Sequence, residues 1–168
     1  VILLDIRPGD FISKGSYLGW VLSPTPLDKD VESRFQSAFL HGLKRTAAQD
    51  VMFLAQELIE IAGRALSPGI NDPFTAMSCL DWLGSSLAVM ATRTPFDGRH
   101  YNSEGQLRLI AKHVSQDLFL RKNLSRIRVY AATDRNAATH FLSIIGRLLL
   151  LPVAPEIRQL LLEQAFEL

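Results

Sequence analysis

Between Thr46 and Thr94, apolar residues recur at helical spacing in two runs, separated by the segment Ser67-Pro68-Gly69-Ile70-Asn71-Asp72-Pro73. Val51, Leu54, Ala55, Leu58, Ala62 and Ala65 make the first stripe, and Ala76, Met77, Leu80, Leu83, Leu87 and Met90 the second. Residues three and four apart share one face of a helix, so each run predicts a helix with one buried side. Pro68 has no N–H to donate, and the first helix is expected to end near Leu66. Asp72 is a residue type that accepts from the free N–H groups of a first turn, and Pro73 suits the first helical position. Thr46-Ala47-Ala48-Gln49 reads as a capping box for the first helix. Glu60 and Arg64 stand four apart on its other side, as a favourable ion pair.

The flanking sequence supplies smaller elements. Val1 to Arg7 is β-branched and aliphatic, and Pro8-Gly9-Asp10 is a turn signal, so residues 1–22 are expected as a small β-element. Val31 to Leu40 reads as a helix, and Phe96 to Gly105 as a loop. Leu107 to Val114 partly alternates and is expected as a short strand able to pair with the N-terminal ones. Three further helices are expected at about 116–132, 135–151 with Asp134 as its cap, and 155–166. The expected fold is α+β and mainly helical, with five or six helices. Its helical part covers 31–168, and both parts are expected to form one compact domain.

Composition narrows the function. The 18 basic and 17 acidic residues leave a net charge of +1. Nucleic-acid binders generally carry a dominant basic field, so none is expected as a partner. A single cysteine, Cys79, excludes an internal disulfide and the usual thiolate zinc site. His41, His100, His113 and His140 are dispersed without metal-ligand spacing, so no metal and no cofactor are expected. The mean hydropathy of +0.13 is high for a soluble monomer, which implies apolar surface meeting a partner. No window reaches the roughly 18 uninterrupted apolar residues of a membrane span. The nearest, Phe141 to Ala154, holds Arg147 and Pro152 and reads as a buried helix. The chain opens on Val1 directly into a strand, and it is expected to be a fragment of a longer protein.

The segment Gly42 to Leu83 resembles the signature of the domain of unknown function 2254 family, predicted bacterial multi-pass membrane proteins. Gly42, Arg45, Thr46, Gln49 and Asp50 match first. The run Ile61, Ala62, Arg64-Ala65-Leu66-Ser67-Pro68-Gly69-Ile70-Asn71-Asp72-Pro73, Thr75 and Ala76 follows. Arg7-Pro8-Gly9-Asp10-Phe11 with Gly15 matches upstream, and Ser125 to Ala131 more loosely downstream. His41-Gly42-Leu43-Lys44 departs from a more usual acidic lead-in. The resemblance implies membrane-spanning helices preceding this region and a bacterial inner-membrane location. It implies no activity and no catalytic residue.

Arg45, Asp50, Arg64, Ser67, Asn71, Asp72 and Thr75 are the candidate ligand or interface residues, because the motif holds more polar groups than caps require. The architectural reading makes Thr46 and Asp72 caps, Gly69 a left-handed or tight backbone position, and Ser67 to Gly69 a rigid connector. The functional reading has Arg64, Asn71 and Asp72 line a small polar pocket or a subunit contact. Arg121, Lys122, Arg126, Arg128 and Arg135 are either a solvated face or a contact for anionic lipid. The leading expectation is a soluble assembly or regulatory domain of a bacterial membrane protein, channel- or transporter-like. Its partners would be its own transmembrane segments and further copies of itself. The alternative is an enzyme, or a small-ligand or lipid-binding module, using Arg64, Asn71 and Asp72.

Overall fold

The computed structural model describes residues 1–168 and contains six helices and four short strands, an α+β fold that is mainly helical. Its elements group into two compact units. One comprises Val1–Asp50 with Phe96–His113, and the other Val51–Pro95 with Val114–Leu168.

The first unit is a mixed sheet with one helix. β1 (Ile2–Leu4) pairs antiparallel with β2 (Gly19–Val21), Leu3 facing Trp20. A short helix, α1 (Lys29–Ser37), follows, with Asp28 as its cap and no buried residue. β3 (Arg99–Tyr101) pairs antiparallel with β4 (Leu107–Ala111), and β4 runs parallel to β1, giving the order β2-β1-β4-β3. The expected partnership between 107–114 and the N-terminal strands is therefore present. Residues 96–105 were expected as a loop, and β3 corrects that. Arg99, His100 and Tyr101 are all exposed, so no alternation marks them; backbone pairing to β4 alone makes the strand.

The second unit holds every buried hydrophobic side chain of the chain. α2 (Val51–Ala65) and α3 (Pro73–Thr92) form an antiparallel pair, followed by α4 (Gln116–Ala131), α5 (Arg135–Leu149) and α6 (Pro155–Phe166). α3 packs against α2, α4 and α5, while α6 packs against α4 and α5. This gives one layer of α2, α3 and α5 with α4 and α6 behind it. Leu80, Leu83, Leu87, Leu120, Leu124, Phe141 and Ile145 fill the space between the layers. At Gly84 an added Cβ would lie 2.9 Å from Ile144 Cγ2, so glycine lets α3 and α5 approach closely.

Two expectations about α2 change. It starts at Val51, five residues after Thr46, and residues 47–49 form a turn, so the Thr46–Gln49 pair does not cap it. Its buried stripe is Met52, Ala55, Ile59, Ala62 and Ala65, while Val51 and Leu54 are half exposed. α2 carries apolar residues on two faces, and periodicity alone does not say which one is inside. The helix ends fare better. Asp72 Oδ1 accepts from Thr75 N–H at 3.1 Å with Pro73 at the first position, and Asp134 accepts from Asn136 and Ala137 N–H. The helix long and apolar enough to cross a membrane is α3 rather than 141–154, with a mean hydropathy of 1.2 over its apolar window. Its inner side is packed within the helical unit: Ala76, Cys79, Leu80, Leu83, Leu87 and Ala91 are buried.

Candidate functional site

The seven candidate residues separate into two groups, one at each end of α2. That helix has 15 residues and so spans about 22 Å at 1.5 Å per residue.

At its start, Asp50 is buried to 5% exposure and receives the Arg45 guanidinium, Nε to Oδ2 at 2.8 Å. The turn of Arg7 to Asp10 lies against this pair. It is closed by Arg7 N–H donating to Asp10 Oδ2 at 2.9 Å and by Asp10 N–H donating to the Arg7 carbonyl at 3.1 Å. Gly9 adopts a φ of +86°, and a Cβ there would fall 1.9 Å from Asp50 Oδ2. Only glycine satisfies both the left-handed backbone and the close approach. The Arg7–Phe11 motif and the Arg45–Asp50 motif, some forty residues apart, thus meet in one place. Sequence reasoning noted both motifs without joining them. Removing one partner of a buried ion pair leaves an uncompensated charge.

At the other end, the Ser67–Thr75 connector uses its polar groups locally. Ser67 Oγ donates to the Arg64 carbonyl at 2.6 Å, and Ile70 and Asn71 N–H both donate to the Ser67 carbonyl. Asp72 N–H reaches back to the Ala65 carbonyl at 2.8 Å, closing the turn between the helices. The left-handed residue is Asn71, with φ +48°, while Gly69 lies within the tight turn at negative φ, the second of its two expected roles. Both oxygens of Asp72 are taken by Thr75, Oδ1 by its N–H and Oδ2 by its hydroxyl at 2.5 Å. These bonds, the hydroxyl one first, hold the Asp72 carboxyl below the usual carboxylate range. The Arg64 guanidinium bonds Glu60 at 3.3 Å, one turn back along its own helix. These local bonds of Arg64, Ser67 and Asp72 are the ones the architectural reading of the connector calls for.

A different set of residues forms a surface. On α2, Met52 marks the α4 side, where Asn123 Nδ2 lies 3.9 Å from its sulfur. Leu54 and Ile61 stand roughly 160–180° around the helix from Met52, away from α4. On α3 the outward arc carries Phe74, Ser78, Asp81, Trp82, Ser85 and Val89. Phe74, Trp82, Val89, Val51, Leu54 and Ile61 are all exposed, Trp82 to 70%. Between α3 and α5 the same outer side holds an open groove of about 470 Å³. Gly84, Ala88, Ile144 and Leu148 line it, with Asp81 and Arg147 at its rim. Asp81 Oδ1 accepts from Arg147 at 3.2 Å and lies 2.9 Å from His140 Nε2. Desolvation raises the Asp81 pKa, but the bonds and charges of Arg147 and His140 outweigh it and leave the carboxyl below its ordinary value. This cluster was not among the sequence candidates, because its members are 59 and 66 residues apart.

Arg121, Lys122 and Arg126 of the basic run on α4 are exposed, and two of its arginines pair within the helical unit. Arg121 is bridged to Asp117 at 3.1 Å and Glu163 at 3.5 Å, and Arg128 to Glu167.

Comparison with known proteins now decides the family. The model of a family described as predicted membrane protein (DUF2254) matches residues 1–147, which take in the Gly9–Arg45–Asp50 knot, the connector and all of α3. The chain belongs to this family. Among its relatives are an uncharacterised protein of Mycobacterium bovis and two of Mycobacterium tuberculosis, each 29% identical over 148 residues. The matched region is 86% of this chain and 28% of each relative, so the chain spans little more than a quarter of their length. No solved structure matches it.

Proposed function

We propose that this chain is an assembly domain of a membrane protein, and that the outer face of the α2–α3 pair binds a second copy. The observation that carries this reading is the amount of apolar surface left bare on one face. Val51, Leu54, Ile61, Ile70, Phe74, Trp82 and Val89 are each between 45% and 76% exposed. On ordinary side-chain areas they leave on the order of 700 Å² uncovered, above the roughly 300–600 Å² of the largest patch on a typical monomer. It approaches the ~800 Å² that one partner gives to a standard interface. Membership of a predicted membrane protein family supplies the setting: association of these domains sets how many membrane parts stand together. The regulatory part of the reading is that whatever shifts this association shifts the membrane parts with it. The absolute mass of the chain by light scattering, across a concentration series, tests the proposal. A discrete oligomer is expected, and a monomer at every concentration overturns it.

A further inference from the structure

The outer face is not uniform, and its unevenness specifies how two copies fit. Trp82 projects from the flank of α3 turned toward α2, about 200° around the helix from Gly84. The groove lies on the opposite flank, where Gly84 lets α3 settle against Ile144 of α5. Ser78 and Ser85 lie between the two flanks, seven residues apart on the middle of the exposed arc. A knob, a hole and a small-residue ridge thus stand side by side at one height along α3.

We infer that Trp82 of one copy inserts into the α3–α5 groove of another, with the two α3 helices parallel; this rests on the self-association proposed above. A symmetry axis running along α3 brings the Trp82 flank of one copy against the groove flank of the next at the same height. An axis perpendicular to α3 in the interface plane would pair each flank with its own kind and leave the groove empty. Three features of the groove suit an indole. Its floor is apolar, and its volume of about 470 Å³ falls in the range of pockets that enclose a bulky group. Arg147, 61% exposed at the rim, is placed to lie over an aromatic face. Asp81 engages Arg147 and His140 through Oδ1 alone, and its Oδ2 makes no hydrogen bond within the chain, so an indole N–H has an acceptor. The charges agree as well. The same arrangement lays α2, with Glu57, beside α5 of the neighbour, which carries Arg135 and no acid. Serines at the axis allow the two helices to come close without a steric barrier.

The chain has two tryptophans, so Trp20→Phe leaves Trp82 as the only indole reporter. Light scattering and tryptophan emission are recorded together on this variant as concentration rises. Emission is expected to move to shorter wavelength in step with the increase in mass. Trp82→Ala, and separately Ser85→Phe, which places bulk at the axis and groove edge, are each expected to weaken association by about tenfold or more. Both side chains are exposed, so circular dichroism should show an unchanged fold. An oligomer whose emission stays at long wavelength and whose mass is indifferent to both substitutions overturns the insertion but leaves self-association standing. A chain that remains monomeric overturns both.

Discussion

The α2–α3 pair has an inner and an outer face, and both are apolar. Inside, Ala55, Ile59, Ala62, Leu80, Leu83 and Leu87 are packed to 4% exposure or less against α4 and α5. Outside, Leu54, Ile61, Trp82 and Val89 are equally apolar and 45% or more bare. The inner side of α3 is built of Leu, Ala, Cys and Gly, which interdigitate. The outer side alternates large aromatics with serine, a texture of knobs and gaps that suits a partner surface. One face stabilises the folded chain, and the other is the face proposed above to bind a second copy.

Substitutions separate the two roles. The largest loss of stability is expected from Leu80→Ala, which opens a cavity at a side chain only 2% exposed. Thermal or denaturant unfolding should show about 2–5 kcal/mol. An overpacking change comes next. Gly84→Ala pushes a methyl against Ile144 at the α3–α5 contact and should cost about 1–3 kcal/mol in the same assay, less if Ile144 changes rotamer. Asp72→Ala removes the cap of α3 and is expected to lower the unfolding midpoint by a smaller amount, with Asp72→Asn retaining part of it. This effect has a pH signature. The folded carboxyl is shifted below its ordinary value, so its contribution is complete above the unfolded carboxylate pKa and fades as pH falls through the lowered folded one. The stability gap between wild type and Asp72→Ala should therefore narrow on acidification. Trp82→Ala sits at the small end, within about 0.5 kcal/mol in the unfolding of the monomer, because its side chain is mostly in water. A large loss of monomer stability from Trp82→Ala would break the contrast between the faces.

The helices were legible because their ends are chemically marked. Asp72-Pro73, Asp134 and Pro155 stand where the structure starts α3, α5 and α6, and local signals of this kind do not depend on the rest of the chain. The inward side of α2 was not legible, since Leu54 and Ile59 are interchangeable to a periodicity argument and only packing against α4 chooses between them. β3 was missed because Arg99-His100-Tyr101 has no buried face. Of the candidate site, Arg45 with Asp50 and Asp72 with Thr75 do pair, each with a partner a few residues along the chain. The Asp81, His140 and Arg147 cluster comes together only when α3 and α5 pack, and no spacing in the sequence announces that.

The most direct test compares the mass of the wild-type chain with that of a Leu54→Glu, Trp82→Glu double variant by light scattering at matched concentrations, with unfolding midpoints measured alongside. A discrete oligomer is expected for the wild type and a monomer for the variant, at closely similar unfolding midpoints extrapolated to low concentration. A monomeric wild type, or a variant of undiminished mass, would contradict the claim that the outer face is an interface.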